Sequence, residues 1–237
     1  MEFLQKALDD PHAQPCGECA NCRTVGRLPT TPNPDMRKKA EAFCRREYVP
    51  IEPRERMPFK LQNSAFQFPR ATIPEPLRPE LGFALALYRF GGWGELAAAQ
   101  RYAERPHFDH EMVAAMAGMV VRMIGQKVEY VTCVPSLTNP TLVPDFAKRL
   151  AERLKLQFYP IVSKVKPTKP QKEMQNGQQQ VQNLEGAFQV EMPPNLKDKA
   201  VLLVDDICNS GWTFAIIAIL LRSAGSGPVY PAAITKT

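Results

Sequence analysis

Short apolar runs alternate with amphipathic stretches from about residue 127 to the end of the chain. Continuous apolar runs such as 200–204 are typical of strands that are buried on both faces of a parallel sheet. The predicted order is strand 129–134, helix 142–155, strand 158–162, strand 200–204, helix 213–224 and strand 229–234. This alternation predicts an α/β fold with a parallel sheet and right-handed crossovers.

The first half of the chain shows helical patterns and a proline-rich interruption. Apolar spacing predicts helices over 2–8, 35–48, 79–90, 95–104 and 109–124. Asp109 is the predicted N-cap of the last helix, and the methionines of that helix lie at a spacing that predicts core packing. Residues 49–80 contain too many prolines for long regular elements, which indicates a linker or a wrapped, irregular segment.

These patterns divide the chain into three parts. Residues 1–48 hold Cys16, Cys19 and Cys22 at a spacing suited to Zn²⁺ and are predicted to form a helical zinc-binding segment. Residues 49–77 are predicted to be a proline-rich linker and 78–237 an α/β domain. Within the last part, residues 163–182 are rich in Lys, Gln and Pro, and they are predicted to be a mobile loop or a polar helix.

Positive charge is concentrated near the cysteine-rich part. The net charge is +6, and residues 20–70 alone carry eleven Lys or Arg against five acids. Such an excess indicates either a nucleic-acid surface or a solvated face. The candidate DNA-binding residues are Arg37, Lys38, Lys39, Arg45, Arg46, Lys164, Lys166, Lys169 and Lys172. No apolar run reaches the roughly 20 residues of a membrane span and no secretory signal is present, so we expect a cytoplasmic protein without a membrane partner.

One motif combines a buried strand, two acids and a turn that leads into a helix. Asp205 and Asp206 follow the apolar run Val201–Val204, at the end of the strand where open α/β sheets bind ligands. The turn 209–213 enters the helix, whose free N–H groups and dipole favour phosphate. Carboxylates that directly precede a phosphate-binding turn are suited to accept hydrogen bonds from ribose hydroxyls. The alternative is that the acids only cap the turn.

The run 201–213 resembles the ribose-phosphate signature of type I phosphoribosyltransferases. The resemblance implies that Asp205 and Asp206 bind the ribose hydroxyls of phosphoribosyl pyrophosphate in the presence of Mg²⁺. The implied 5′-phosphate ligands are Asn209, Ser210, Gly211, Trp212 and Thr213. Trp212 stands where the family usually has a small residue. The implied fold is a parallel-sheet, type I phosphoribosyltransferase fold preceded by a small helical zinc-binding segment.

Two further stretches are similar to this family. Pro135 and Ser136 lie where the family has its pyrophosphate loop. The stretch from Pro170 to Phe188 looks like the ComF-type branch, which usually has an arginine where Gln180 stands. The lysines 164, 166, 169 and 172 could replace the missing charge or could contact a nucleic-acid backbone.

Cys16, Cys19 and Cys22 have a spacing that allows one tight turn to wrap Zn²⁺. A closed site needs a fourth ligand, and Cys44 and His12 are the local alternatives. The segment is similar to the zinc-binding segment that follows the motor of RecQ-family DNA helicases. That resemblance implies a fourth cysteine ahead of Met1, and it implies that the chain is the C-terminal part of a bacterial helicase active in DNA repair. No Walker motif is present, so the motor domains would be partners in the same full-length protein.

Two functional hypotheses remain open at this stage. The first is an accessory helicase region whose C-terminal domain binds DNA or a ribose-phosphate ligand. The second is an active phosphoribosyltransferase that uses phosphoribosyl pyrophosphate and Mg²⁺. The sequence identifies no general base and no nucleobase pocket, so no catalytic residue is predicted.

Overall fold

The structure, a computed structural model, describes residues 2–20, 22–23, 31–45, 48–58, 66 and 68–237. The side chains of Glu41, Cys44 and Lys172 lie outside this description, and so does Arg46, one of the candidate DNA-binding residues. The chain divides into two compact units, residues 1–40 and 41–237.

The first unit is built around two helices. Helix α1 covers Glu2–Ala7, and α2 covers Pro34–Cys44 and runs across the division between the units. Both agree closely with the predicted helices 2–8 and 35–48. Residues 34–40 of α2 are all exposed, so this part of the helix is held by no buried face.

In the described part of the second unit, six strands form one mixed sheet in the order β1-β2-β8-β7-β3-β4. These strands are β1 (Val49–Ile51), β2 (Gly82–Leu87), β3 (Tyr130–Cys133), β4 (Gln157–Phe158), β7 (Val201–Cys208) and β8 (Val229–Lys236). β1 is antiparallel to β2, and the other neighbours are parallel. Two further strands, β5 (Val162–Lys164) and β6 (Phe188–Val190), form a separate antiparallel pair. The α/β fold with a largely parallel sheet is confirmed.

Helices cover both faces of the sheet. They are α3 (Gly91–Arg101), α4 (His110–Met123), α5 (Leu142–Leu154), α6 (Gly177–Leu184) and α7 (Trp212–Ser223). Leu202 and Val204 of β7 pack on the side of α3, α4 and α5, whereas Val201 and Leu203 pack on the side of α6 and α7. All four residues are fully buried, which explains the continuous apolar run of a central strand.

Helix α4 begins where its sequence predicts. The Asp109 carboxylate accepts a hydrogen bond from Met112 N at 2.8 Å, and Gln100 Nε2 donates to the same side chain at 2.6 Å. Met112, Met116 and Met119 are fully buried. The N-cap and the role of these methionines in the core are confirmed; Met123 is the exception because it is exposed.

The helix predicted over 79–90 is wrong, because Gly82–Leu87 forms strand β2. Phe83, Ala84, Leu85 and Ala86 are buried between the two helical layers, whereas Leu87 is exposed. A short apolar run does not distinguish such a strand from a buried helix. Gly82 lies directly against Pro231 of β8, where a Cβ atom would come within 2.4 Å of the Pro231 carbonyl oxygen. The close approach of the two strands therefore requires glycine at this position.

Two other segments differ from the expected layout. The predicted strand 158–162 is divided between β4 and β5, and residues 163–182 contain the end of β5 and most of α6. The proline-rich segment 49–77 buries Ile51, Met57, Phe66 and Ile73 in the core of the second unit. Cations bind its carbonyl groups: Lys236 Nζ donates to Pro50 O at 2.7 Å, and Arg222 Nε donates to Pro76 O at 2.5 Å. This segment is thus wrapped on the α/β unit.

Candidate ribose-phosphate site

The two acids of the motif lie inside β7, which is longer than the predicted strand 200–204. Pairing with β8 continues beyond the acids to Cys208, opposite Lys236, and this pairing extends the strand. On the other side β3 ends at Cys133, opposite Val204. Among the described strands, none pairs with β7 on that side at Asp205 and Asp206, so the edge of the sheet is open there.

Asp206 is a buried acid with a half-buried partner. Its carboxylate forms an ion pair with the Arg101 guanidinium at the end of α3. Arg101 Nε is buried as well, and it has no hydrogen-bond partner within the described residues. An unsatisfied buried donor on a cation is unusual in folded proteins and is suited to an anionic ligand.

Asp205 lies on the opposite face of β7 from Asp206. Its Oδ1 accepts a hydrogen bond from Asp206 N at 2.8 Å. Burial raises the pKa of Asp205 to about 7, against the opposing effect of the positive charges of Arg101 and Lys164. Burial also lowers the pKa of Lys164, and the Asp205 charge opposes that shift. The structure thus brings one predicted ribose-binding acid near one predicted lysine and near Arg101.

The predicted phosphate loop begins helix α7 as the motif requires. Gly211 is the N-cap with φ +80°, a left-handed conformation that favours glycine. Thr237 Oγ1 donates to Asn209 Oδ1 at 3.0 Å, which ties the start of the loop to the end of β8. Ser210 and Thr213 are half-buried, whereas Trp212 is 6% exposed. The loop side chains other than Trp212 thus stay accessible.

The predicted pyrophosphate loop lies at the same edge of the sheet, because it follows β3 and β3 is parallel to β7. Pro135 and Ser136 are half-buried there, and Ser136 Oγ accepts from Asn139 N at 3.2 Å. Gln180 does not face a charged group: its side chain and that of Gln171 each donate to the other residue's carbonyl, at 3.5 and 3.3 Å.

The lysines predicted to replace the missing arginine are not equivalent. Lys164 Nζ donates to Thr168 Oγ1 at 2.8 Å and lies 5.7 Å from the Phe188 ring centre. Lys166 Nζ donates to Glu185 O at 3.0 Å, and Lys169 is exposed. The side chain of Lys172 lies outside the described part of the chain. Lys164 is the lysine among them whose charge acts on Asp205.

The other candidate DNA-binding residues belong to different units. Arg37, Lys38 and Lys39 are exposed on α2 in the first unit. Arg45 is in the second unit, where its guanidinium lies 4.7 Å from the Trp93 ring centre. Arg45 thus has a packing role in addition to its charge.

The three clustered cysteines of the first unit form a compact group of sulfur atoms. Cys16 Sγ and Cys22 Sγ are 3.9 Å apart, and Cys19 Sγ and Cys22 Sγ are 3.5 Å apart. Tetrahedral Zn²⁺ with bonds of about 2.3 Å to sulfur places its ligands about 3.8 Å apart, so these residues fit the ion. Cys19 N also donates to Cys16 Sγ at 3.3 Å, the kind of bond that orients a metal ligand. The side-chain hydrogen bond with Cys19 is the main cause that raises the pKa of Cys22.

The fourth metal ligand is not identified. Among the described residues, the group that could hold a metal comprises Cys16, Cys19 and Cys22, and His12 is not part of it. The side chain of Cys44 and any cysteine ahead of Met1 lie outside the described residues. The predicted alternatives for this ligand therefore stay predictions, with His12 disfavoured.

Neither acid of β7 provides a free ligand for Mg²⁺. Asp206 is paired with Arg101, and burial keeps Asp205 partly protonated near neutral pH. No group of candidate metal ligands within the described chain includes either residue. Asp205 and Asp206 therefore do not belong to a set of oxygen ligands for a resident Mg²⁺ ion within the described residues.

Sequence reasoning missed two residues of this site, Arg101 and Arg54. Arg101 lies on a helix more than 100 positions before Asp206, and Arg54 donates from Nε to Ser210 O at 2.8 Å across 156 positions. Local patterns carry no signal for such pairs, because only the fold brings them together.

The described part of the chain contains no helix with the length and apolar character needed to cross a membrane.

Comparison with known proteins finds a family match that includes the β7–α7 motif. Residues 142–229 match the family described as the phosphoribosyl transferase domain. No curated protein matches the chain. The solved structures that are similar include a hypothetical protein from Neisseria gonorrhoeae with bound ppGpp and an adenine phosphoribosyltransferase.

The Neisseria protein is 19% identical, with a TM-score of 0.35, and the match covers 52% of this chain and 64% of that one. The adenine phosphoribosyltransferase is 16% identical, with a TM-score of 0.38, over 54% of this chain and 72% of that one. At these values the two structures carry no functional argument. The match over residues 142–229 spans α5, α6 and the β7–α7 motif, so the similarity to the phosphoribosyl transferase domain includes the predicted ribose-phosphate loop.

Proposed function

We propose that the α/β unit binds a ribose-phosphate ligand at the carboxyl end of β7. The observation that carries this proposal is the arrangement of that end: two acids within the open part of the strand, followed by a loop whose Gly211 starts the 12-residue helix α7. The loop N–H groups and the helix dipole suit a phosphate, and the acids suit ribose hydroxyls. Arg101 and Lys164 add positive charge beside the acids.

Calorimetric titration with ribose 5-phosphate and with phosphoribosyl pyrophosphate tests the proposal. We expect binding by the unchanged protein and a loss of at least tenfold in affinity for Asp205→Asn combined with Asp206→Asn. Asp198→Asn is the matched control, because this exposed acid precedes β7 at the opposite end of the strand. No binding of either ligand by the unchanged protein would refute the proposal.

We further propose that the first unit is a zinc-binding segment of the RecQ helicase type, and that the chain acts as an accessory region of such a helicase. The support is the Cys16-x-x-Cys19-x-x-Cys22 spacing, the sulfur distances and the preceding helix α1. The partners would be the helicase motor domains and DNA, in the context of DNA repair.

Exposed Lys38 and Lys39 on α2 support the DNA part of this proposal. Binding through them should be steeply salt-dependent, because each phosphate contact releases counterions. Replacing both with Ala should weaken binding of a fluorescent single-stranded oligonucleotide and should lower the salt slope by about 1 to 2. Unchanged affinity and slope would show that α2 is only a solvated face.

An active phosphoribosyltransferase is the alternative function. It needs the same two acids to bind the ribose, and in addition a group that activates the acceptor. His107 and His110 do not provide such a group: both are exposed, and His107 faces Asp145 at 3.6 Å. Release of pyrophosphate that Asp206→Asn abolishes would establish this alternative.

A further inference from the structure

We infer that Arg54 is a phosphate-binding residue of the loop 209–213, supplied by the segment 48–58, which we call the strap. The inference rests on the proposed function, because it concerns the same ligand site. It extends that site beyond residues 142–229, which match the family, to a segment that precedes the parallel strands in the sequence. The chemical group that Arg54 would recognise is a phosphate monoester.

Trp212 forms the base of this arrangement. Trp212 occupies a loop position where the family usually has a small residue, yet its ring turns away from the loop into the core. Its ring is buried against Gly177 at the start of α6, where a Cβ atom would come within 3.1 Å of Trp212 Nε1. The Arg54 guanidinium lies 5.1 Å from the ring centre. Trp212 is thus a platform that orients a cation beside the loop.

The hydrogen bonds of Arg54 fix its position on the loop. Its Nε donates to Ser210 O at 2.8 Å, and its Nη2 is bonded to the same oxygen. Arg54 Nε lies 3.9 Å from the position that a Cβ atom on Gly211 would occupy. A guanidinium has five N–H donors in a planar fork, so donors beyond these two stay suited to phosphate oxygens. The Arg54 side chain is exposed, which leaves its outer edge open to a ligand.

The charges around the strap support an anion at this place. Burial raises the pKa of Cys208, at the base of the loop, to about 11, against the opposing effect of the positive charges of Lys236 and Arg54. Lys236 Nζ is bonded to Pro50 O of the strap. Glu55, the acid next to Arg54, pairs with Arg78 at 3.8 Å. Residues 48–58 carry two Arg and two Glu, so the positive charge beside the loop comes from Arg54 itself and from Lys236 of β8.

Titration of the full chain with ribose 5-phosphate tests the inference. We expect Arg54→Gln to lower the affinity at least tenfold, because a charge-assisted contact to phosphate is lost. Arg54→Lys keeps the charge, so it should retain more affinity than Arg54→Gln. The matched control is Arg56→Gln, which removes an equal charge two positions along the strap and should change the affinity less than twofold. Circular dichroism and thermal unfolding check that each variant is folded.

The order of the two variants separates a ligand contact from a role in loop structure. The amide that Arg54→Gln introduces could still donate to Ser210 O without a charge, so equal or higher affinity of Arg54→Gln than Arg54→Lys would overturn the inference. If Arg54→Gln binds with unchanged affinity while the Asp205 and Asp206 double variant still loses binding, the role of Arg54 is refuted and the proposed function is not. No binding by the unchanged protein would refute both Arg54 and the proposed function.

Discussion

The Arg101 guanidinium is paired with the Asp206 carboxylate on the α3 side of β7. The acid is 10% exposed and the arginine 24%. The pair joins the last residue of α3 to a strand in the centre of the sheet. It also occupies the carboxylate that the sequence motif assigns to the ribose, so a ligand at this site has to share Asp206 with Arg101.

Removing one member of this pair should destabilise the protein more than removing both. Arg101→Met leaves an uncompensated buried carboxylate, and we expect it to lower the free energy of unfolding by about 3 kcal/mol. Combining it with Asp206→Asn should recover part of that loss. Urea unfolding of both single variants and the double variant gives the coupling free energy.

Arg149→Met is the control for this cycle. Arg149 is half-buried like Arg101, but its partner Asp145 is exposed and 2.7 Å away, so the change leaves no buried carboxylate. With the loss of its hydrogen bond to Phe108 O, it should cost only about 1 to 2 kcal/mol. Additive effects of the Arg101 and Asp206 changes would show that their pairing contributes nothing to stability.

Stability should fall as the pH rises from about 4 to about 7 because of Asp205. Its pKa is about 7 in the folded protein and 3.8 as an ordinary value, so between these pH values the folded state binds more protons than the unfolded state. The free energy of unfolding contributed by this group should decrease by up to about 4 kcal/mol across that range. Urea unfolding at several pH values measures this slope.

Asp205→Asn removes the titrating group and should flatten this part of the pH profile. Asp198→Asn, the exposed control, should leave the profile unchanged. If Asp205→Asn has the pH profile of the unchanged protein, the carboxyl group titrates near its ordinary pKa.

The cysteine group should hold one zinc ion per chain. Cys19→Ser should abolish it, because the Cys19 sulfur lies 3.5 Å from that of Cys22 and its loss leaves two ligands in the group. Elemental analysis of purified protein measures the zinc content. Cys133→Ser is the control: Cys133 is buried in β3 of the other unit, so this variant should keep its zinc. Full zinc content in Cys19→Ser would exclude the group as the binding site.

Asp109→Ala should lower the free energy of unfolding by about 1 to 2 kcal/mol, because Met112 N at the start of α4 loses its acceptor. Asp109→Asn keeps an acceptor oxygen and should lose less. Thermal and urea unfolding measure both changes. Equal losses in the two variants would mean that the charge of Asp109, rather than the N-cap hydrogen bond, stabilises the helix.

The sequence was sufficient for elements whose signals are local. The apolar run 201–204, the glycine of the loop and the Asp109 cap each depend on a few neighbouring residues, and the structure has the corresponding strand, turn and helix start. Strand β2 was predicted as a helix, because its five apolar or small residues after Gly82 carry no periodicity that separates a buried strand from a buried helix.

The partners in the site could not be predicted for a different reason. The bonds from Arg101 to Asp206 and from Arg54 to Ser210 join residues on elements far apart along the chain. Nothing near either arginine marks it as part of a ligand site, and the wrapping of the proline-rich segment decides which cation reaches the loop. Residue type and spacing identified the acids and the phosphate loop, but not the charges that surround them.

The six-stranded sheet is bounded by β4, which has two residues, and by β1, which has three with Pro50 in the middle. Proline has no N–H group, and so short a strand offers a second chain little backbone to pair with. Growth of the sheet by addition of strands from another molecule is therefore disfavoured at both borders. A protein or nucleic acid that associates with this unit has to recognise its side chains and loops, and concentrated solutions should resist aggregation through sheet extension.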